Sequence, residues 1–538
     1  MTITTAKLAR ALRQAYPLPL ALSALLMALP AQAIDLDLDK VQNTLNDIDV
    51  LKPPGNRWRI VPMLDVRQIY TDNVNLQAPE RAHGQFLTEL APGVLVKRDS
   101  RRLKLDGLFQ LHLYANTNDK YATRRSSNKL RANARAELVD DMVFVDGSAS
   151  MFQQSISPFS QFVSGNEYAD VNRANVKTWQ VSPYLINRFG HVARSELRYL
   201  HDSVDAGNSG MSSTTGDTLS FRLNSGSVWE ELGWGISASE QKIHDPRRND
   251  STIRNGALNL SYRLTNSFAV TAASVYDDYD YEAIGGANGG NGWSTGFRWT
   301  PSSRTSVDAS WGQRYYGPSR SLKALHRSRR TAWNISYDDS VVTSRSNFLL
   351  AAQVPTLPGG EIPAQLPGGI FNPGLPPVQV PVLVPPLGGG INFFSNRYSL
   401  QTQARAGVTL RGGRSSAVVN LFKIRREALS VRGVDDQILG SPVESVNDNI
   451  EQVGVNTLLT YNLSPRSSVL LALDASDNES LTTGFKARAS AARLSLRHKL
   501  GRNIAATAEL RRVSGATGLT SGARYTENAL SVTLNMTL

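Results

Sequence analysis

Nucleophilic and metal chemistry in proteins most often uses histidine and cysteine. The absence of cysteine and the scattered histidines of this chain argue against both kinds of chemistry. There is no cysteine, which excludes disulfides, cysteine-ligated metals and a cysteine nucleophile. The histidines are scattered, and none forms a pair at the spacing of a zinc site; they are His83, His112, His191, His201, His244, His326 and His498. We therefore predict no metal and no cofactor.

Three short motifs resemble functional signatures without completing them. Gly518-Leu519-Thr520-Ser521-Gly522 has its serine one place too late for a nucleophile elbow. The glycine-rich run 285–290 has no strand-to-helix context and is typical of a loop tip. The alternating aspartates in 35–39 lack the glycine and closing glutamate of a calcium loop. We predict that the protein is not an enzyme, with a barrel-embedded hydrolase as the least favoured alternative.

Arginine offers the remaining chemistry. Many arginines recur on the polar side of segments in which polar and apolar residues alternate, and they outnumber the acids that share that side, Glu137, Glu196, Asp308, Asp474 and Glu509. A wet surface with an excess of one charge concentrates solutes of the opposite charge. The predicted set is Arg131, Arg135, Arg194, Arg198, Arg222, Arg263, Arg298, Arg405, Arg493, Arg497 and Arg511. Two alternatives stay open: arginine–glutamate ladders that only brace neighbouring strands, and basic rim residues that bind lipopolysaccharide.

Extended strands would position these arginines, because successive side chains of a strand point to opposite faces. In 129–138, alanines and leucines alternate with Lys129, Arg131, Asn133 and Arg135. In 530–538, leucine, valine and methionine alternate with serine, threonine and asparagine. Similar segments follow one another from residue 57 to the end. Each is about ten residues long, the length that a tilted strand needs to cross a bilayer.

The connections between these segments alternate in length. Short turns such as 98–101 and 265–267 separate longer polar loops, and this alternation is typical of outer-membrane barrels with periplasmic turns and extracellular loops. The long loops are predicted at 116–128, 153–171, 202–217, 241–252, 277–292, 316–329, 431–449 and 514–524, with a Pro/Gly-rich loop at 354–392. About 21 strands are evident, and Asn347–Ala352 is the candidate that would bring the number to 22.

The sequence predicts an all-β fold: a single large antiparallel transmembrane β-barrel of about 20–22 strands, with 18 as a lower alternative. A soluble sandwich is disfavoured because the apolar faces are often thin and the opposite faces carry charge over hundreds of residues. Aromatic residues near strand ends would form interfacial girdles; they are Trp58, Tyr70, Tyr199, Tyr262, Tyr276, Trp293, Trp299, Tyr315, Trp333 and Tyr337.

The N-terminal residues indicate export. Lys7, Arg10 and Arg13 precede an apolar stretch that ends at the small-residue cleavage motif Ala31-Gln32-Ala33. We expect a signal peptide at 1–33, a periplasmic lead-in at 34–56 and the barrel at 57–538. The net charge of +12 is spread along the alternating segments, whereas a nucleic-acid site would cluster it, so no nucleic acid is expected.

Several strand ends and turns resemble those of a known family. The stretches Ile60-Val61-Pro62, Tyr70-Thr71-Asp72-Asn73-Val74-Asn75-Leu76 and Thr88-Glu89-Leu90-Ala91-Pro92-Gly93, with the closing Tyr525-Thr526-Glu527-Asn528, are similar to the outer-membrane β-barrel proteins associated with PEP-CTERM/exosortase and exopolysaccharide loci of Gram-negative bacteria. The resemblance covers about 57–538. It implies an outer-membrane location and an exopolysaccharide system, with no established reaction.

The predicted function is a conduit in the cell outer membrane for exopolysaccharide or small anionic solutes. A plugged structural or docking barrel that binds polymer or a partner through its outer loops is the alternative. Expected partners are outer-membrane lipid and lipopolysaccharide, the barrel-assembly machinery, and exopolysaccharide with its periplasmic export components.

Overall fold

The computed structural model describes residues 58–117, 124–162, 165–207, 211, 213–247, 249–353, 394–431, 448–516 and 523–538, and these residues form one 22-stranded antiparallel sheet. The strands in chain order are β1 Arg59–Thr71, β2 Gln85–Asp99, β3 Leu103–Asn116, β4 Ser126–Val139, β5 Val143–Ser155, β6 Arg173–Phe189, β7 Ala193–Asp205, β8 Thr214–Ser225, β9 Leu232–His244, β10 Ser251–Thr265, β11 Phe268–Tyr279, β12 Gly289–Ser302, β13 Thr305–Arg314, β14 Gly317–Arg327, β15 Thr331–Val342, β16 Ser399–Arg411, β17 Ser415–Ala428, β18 Ile450–Ser464, β19 Ser467–Ser480, β20 Lys486–Lys499, β21 Ile504–Ala516 and β22 Arg524–Thr537.

The sheet closes on itself. Each strand pairs with the next along the chain, and β22 returns to pair with β1 from Thr537 opposite Met63 to Ala529 opposite Thr71. Closure leaves no sheet edge, so every strand in the bilayer has a hydrogen-bonding partner on both sides. The fold is therefore a closed antiparallel barrel, and the predicted fold class is confirmed.

The outer face of the barrel is an apolar belt. Leu258, Trp293 and Val532 are 44%, 54% and 51% exposed and project from the same side of the sheet as their large apolar neighbours. Leaving one such side chain in water costs about 1.5–3 kcal/mol, and the belt repeats this around the ring. Lipid must cover it, and the chain is a transmembrane barrel of the outer membrane.

The two rims of the barrel differ in their connections. Turns such as 100–102, 266–267 and 303–304 follow the even-numbered strands and form the periplasmic rim, while longer connections follow most odd-numbered strands. The first strand begins at Arg59 and the last strand ends at Thr537, and both of these residues lie at the periplasmic rim. No helix in the described part of the chain is long and apolar enough to span a membrane.

The prediction of a strand at Asn347–Ala352 is wrong, because this segment belongs to helix α1, Ser344–Gln353. A reciprocal cap starts the helix: the Ser346 amide donates to Thr343 Oγ1 (3.1 Å), and the Thr343 amide donates to Ser346 Oγ (3.0 Å). Leucine and alanine then favour helix over strand. The apolar content of the segment was therefore a helix signal.

The strand that was not predicted lies within residues 316–329. The prediction of a loop for these residues is therefore also wrong. Residues Gly317–Arg327 form β14, and Tyr315 and Tyr316 alone connect it to β13. Pro318 is tolerated because it lies at the beginning of the strand, where a missing donor costs least. Tyr315 is also not part of an outer girdle, since its ring contacts Tyr279 inside the mouth (5.6 Å between ring centroids).

The predicted signal peptide 1–33, the lead-in 34–56 and the Pro/Gly-rich loop 354–392 lie outside the described residues.

The orientation of the belt is testable in the middle of β10. We expect Leu258→Arg to destabilise the barrel in lipid vesicles by about 2–4 kcal/mol, because its side chain faces the bilayer near mid-depth. Asn259→Arg is the matched control: it faces inward between Gly235 and Ala273, so stability should change little. Guanidinium unfolding in vesicles measures both, and equal losses would contradict the assignment of faces.

Candidate functional site

The strand register places every predicted arginine on the face opposite the apolar belt. Arg298, for example, lies opposite Asp308 on β13, while its neighbours Phe297 and Trp299 are on the belt side. Arg511 lies opposite Arg493 in the same inward row of β20 and β21. The predicted set therefore lies on the interior face, where it divides into two groups by the partners of its members.

One group lies toward the periplasmic end and is unpaired. Arg194, Arg222, Arg263 and Arg497 all sit within a few residues of the periplasmic ends of their strands, and none makes an ion pair with any described residue. No carboxylate of the described residues offsets these four guanidinium groups in an ion pair. The periplasmic opening therefore has a positive field.

Most arginines of the other group have a polar partner on the barrel wall. Asp146 on β5 accepts from Arg135 (2.8 Å) on β4 and from Arg198 (3.2 Å) on β7, and Arg198 also reaches Glu196 (2.9 Å). Such pairs brace the wall and add little field of their own. Similar contacts join Arg298 to Asp308 (2.5 Å), Arg493 to Glu509 (3.7 Å), Arg511 to Glu527 (3.0 Å) and Arg405 to Gln403 (2.9 Å), while Arg131 lies opposite Ser150.

The interior holds more acid than the sequence analysis counted. Besides the predicted carboxylates, Glu89, Asp146, Asp202, Asp277 and Glu527 also face inward. They lie beside arginines or histidines, and Asp146 does so near the periplasmic end of β5, so part of the expected positive charge is offset in both halves of the barrel. The four arginines near the periplasmic ends of β7, β8, β10 and β20 keep no acidic partner among the described residues.

A long connection folds into the extracellular end of the interior. This inner loop comprises residues 156–172, of which 163–164 are outside the described part, and it crosses from β5 and β6 to the inward faces of β18–β22. Asn478 Nδ2 on β19 donates to Pro158 O (2.9 Å), and the Tyr525 hydroxyl accepts from the Phe162 amide (2.9 Å). Phe159, fully buried, packs with Ile450 and Ala487.

A buried ion pair fixes the far end of the inner loop. Glu527 and Arg511 have side chains that are 0% and 1% exposed, and the Tyr168 hydroxyl donates to Glu527 Oε1 while accepting from Arg511 Nη2 (2.8 Å). Thr71 Oγ1 donates to the same carboxylate (2.9 Å), and Asn166 Nδ2 reaches its other oxygen (3.4 Å). Buried charges are costly unless fully paired, so the loop completes the network and is held by it.

Helix α1 is held in the same way on the other wall. Arg345 forms a buried ion pair with Asp202 on β7, and its Nε donates to Thr214 Oγ1 (3.0 Å) on β8. Phe348, fully buried, packs against Val176 and Val204 on the inner faces of β6 and β7. The segment that follows β15 therefore also reaches across the interior.

The inward-folded segments are joined to one another at the extracellular mouth. The Phe394 amide donates to Ile156 O (3.1 Å), which connects the end of the α1 segment to the inner loop. The Ile284 amide donates to Leu429 O (2.9 Å), and Ala283 forms an isolated bridge with Ser430. Described segments from four connections thus interlock across the mouth, whereas the periplasmic rim has short turns.

Charge also ties the inner loop to the wall beside it. Burial alone would raise the pKa of Glu167, but Lys129 (3.7 Å) and Arg173 outweigh it and hold the pKa well below its ordinary range. Glu167 therefore stays ionised at neutral pH and keeps its attraction to β4. At the mouth, burial raises the pKa of Tyr316 and Tyr281 above the ordinary value, so their hydroxyls remain protonated.

No catalytic triad is assembled among the described residues. His112 Nδ1 lies 2.5 Å from Glu89 Oε1, but no hydroxyl is bonded to its other ring nitrogen. Ser467 Oγ lies 2.8 Å from His498 Nδ1, with no carboxylate bonded to that histidine. The same residues contain no group of three or more potential metal ligands. The hydrolase alternative gains no support from this geometry.

The comparisons with known proteins give fold-level likenesses. The sequence matches no family model and no curated protein sequence. Among solved structures, the FrpB iron transporter of Neisseria meningitidis is 11% identical, with 91% of this chain and 84% of that chain covered at a TM-score of 0.48. The siderophore receptor PirA of Pseudomonas aeruginosa is 10% identical over 90% and 81%, at 0.45. No residue of this chain takes a role from them.

The Glu527 network predicts how firmly the inner loop is held. Glu527→Gln removes the charge that Arg511 and Tyr168 share, so the loop should lose about 1.5–3 kcal/mol of protection. Hydrogen exchange of the amides in 156–162 and 165–172 measures this loss. Glu479→Gln, which breaks an exposed rim pair with Lys486, is the control and should leave the loop unchanged. Unaltered protection in Glu527→Gln would show that the network does not hold the loop.

Proposed function

We propose that this barrel is an outer-membrane conduit, closed at its extracellular mouth by inward-folded loops, for exopolysaccharide or small anionic solutes. The observation that carries the proposal is the difference between its two ends. Arginines without an ion-pair partner lie near the periplasmic ends of four strands, while buried ion pairs and interlocked loops lie at the other end. Solutes would be gathered at one end and released at the other when the loops move.

The width of the barrel supports a transport role. Barrels with more than about sixteen strands are too wide for side chains alone to fill, so their interiors hold water or a separate plug. Here the inward rows of β8–β10 consist largely of serine, threonine, asparagine and glycine, which do not form a dry core. A polar wall of this kind suits a water-filled path from the periplasm to the closed mouth.

The exopolysaccharide setting is the part of the proposal that rests on resemblance. The strand ends and turns quoted above are similar to barrels from exopolysaccharide and PEP-CTERM loci, which makes an extended saccharide a natural cargo. Periplasmic export components would then meet the basic rim around Arg194 and Arg222. A deletion strain with normal polymer secretion would remove this setting while leaving a general conduit possible.

A docking barrel is the second candidate, and the interlocked loops favour it. The bridge between Ala283 and Ser430 and the hydrogen bond from Phe394 to Ile156 join connections that are distant in sequence. Such a surface could bind polymer or a partner without opening. The two candidates differ in whether the barrel ever conducts.

Loosening the mouth should open the conduit. In planar bilayers we expect the wild-type barrel to be mostly closed, and the double substitution Glu527→Gln and Arg345→Gln to raise the open probability at least several-fold, because both inward-folded segments lose a buried ion pair. The control is Arg488→Gln, which breaks a lipid-facing pair with Asp477. If the double variant is folded as a barrel and still shows no conductance, the result would favour the docking barrel.

Selectivity should depend on the periplasmic arginines. Replacing Arg194, Arg222, Arg263 and Arg497 together by glutamine should move the anion-to-cation permeability ratio toward one, since a positive opening enriches anions. Reversal potentials in a potassium chloride gradient measure the ratio, in the open double variant if the parent is closed. Arg254→Gln is the matched control, because Arg254 projects outward beside Glu240. An unchanged ratio would contradict the role of these residues.

A further inference from the structure

Five tyrosines meet inside the extracellular mouth. Tyr279 ends β11, Tyr281 follows it, Tyr315 and Tyr316 form the turn between β13 and β14, and Tyr398 precedes β16. The rings of Tyr281 and Tyr398 are stacked with centroids 4.8 Å apart, and Tyr279 lies 5.6 Å from Tyr315 and 6.0 Å from Tyr398. Tyr315 and Tyr316 meet edge to face at 5.2 Å. We call this group the tyrosine cluster.

The tyrosine cluster differs from the packing cores of the same mouth. Those cores combine phenylalanine with aliphatic residues that are almost fully buried, such as Phe348 and Val204. All five cluster tyrosines are only half-buried. Their hydroxyls are turned to polar groups: Tyr398 to Ser251 Oγ (3.0 Å) and Tyr316 to Ser319 Oγ (3.4 Å). The cluster is a partly exposed, amphipathic surface.

A trough of small side chains runs down the wall below the tyrosine cluster. The inward positions of three adjacent strands there carry glycine or serine, namely Gly290, Gly292, Ser294 and Gly296 on β12, Ser310 and Gly312 on β13, and Ser319 and Ser321 on β14. A Cβ added to Gly312 would lie 1.9 Å from Trp293 O. The neighbouring strand is therefore too close for any residue with a side chain at this position. The inner loop and α1 pack against other walls of the barrel, so neither of these two described segments covers the trough.

An ion pair borders the tyrosine cluster. Arg314 Nη1 lies 2.6 Å from Asp277 Oδ2, and Asn255 Nδ2 donates to the other oxygen of that carboxylate (2.9 Å). The pair is neutral as a whole, but it offers both donors and acceptors at the edge of the rings. A ligand here would meet flat apolar faces and directional polar groups, without a strong net charge.

Sugar rings have this combination of surfaces, with an apolar face of C–H groups and a rim of hydroxyls. Tyrosine supplies large, rigid and amphipathic contact area at low entropic cost, and its hydroxyl can donate or accept. We infer that the tyrosine cluster and the trough below it form a saccharide-binding subsite at the outer end of the conduit. The inference rests on the proposed function and names the cargo as a polyhydroxylated chain, neutral or acidic.

The test uses the full barrel purified in detergent, with maltohexaose as a neutral probe and hexa-galacturonate as an acidic one. Calorimetry should detect binding of at least one probe in the millimolar range or tighter. Tyr315→Leu and Tyr281→Leu should each weaken it about three- to tenfold, the effect of one aromatic contact. Tyr315→Phe, which keeps the aromatic ring, should lose less affinity than Tyr315→Leu. Tyr276→Leu, on the lipid face of β11, is the matched control and should bind like the wild type.

Footprinting of the unmodified barrel keeps the inference falsifiable if a variant fails to fold. Hydroxyl-radical modification of Tyr281, Tyr315 and Tyr398 should fall when the binding oligosaccharide is present, and that of Tyr276 should not. Failure of both probes to bind, or equal affinity in the leucine variants and Tyr276→Leu, would overturn the subsite. A barrel that conducts without binding saccharide removes the subsite alone, and one that binds without conducting removes the conduit alone.

Discussion

The structure depends on one constraint: a backbone that crosses lipid must satisfy every N–H and C=O within the protein. The return of β22 to β1 meets it by removing the last sheet edge. Once the ring is closed, the alternation of a strand gives each residue an inside or an outside. Leucine, valine and tryptophan then face lipid, and arginine, serine and asparagine face the interior.

The interior is divided by how its charges are paired. Toward the extracellular end, Glu527 and Asp202 are fully buried, and each carboxylate is matched by an arginine and a segment folded in from the rim. Toward the periplasm, four arginines have no ion-pair partner among the described residues. The same residue type therefore holds inward-folded segments at one end and adds unpaired positive charge at the other, although Asp146 and Asp308 also pair with arginines in the periplasmic half. The trough and the tyrosine cluster lie on the wall that these segments leave uncovered.

Strand periodicity was sufficient to predict the barrel and an approximate range for its strand number, because a period of two is a local property of the sequence. It failed where local signals competed. Helix α1 was missed because its cap at Thr343 lies outside the alternating pattern, and β14 because Gly317 and Pro318 read as a loop. The contact of Tyr168 with Glu527 joins residues 359 positions apart and that of Arg345 with Asp202 joins residues 143 positions apart, and no local pattern reports them. The positions of the tyrosines could be read from the sequence, but their contacts with one another could not be predicted from it.

The most direct test of the central claim is thiol accessibility, since the chain has no native cysteine. Ser237→Cys faces the interior from β9, and Ile236→Cys faces lipid beside it. A membrane-impermeant maleimide should label Ser237→Cys when supplied to the periplasm and not when supplied outside intact cells, and it should label Ile236→Cys from neither side. Labelling of Ile236→Cys, or a Ser237→Cys that is unreactive from the periplasm, would contradict a water-filled interior that is open to the periplasm and closed at its outer mouth.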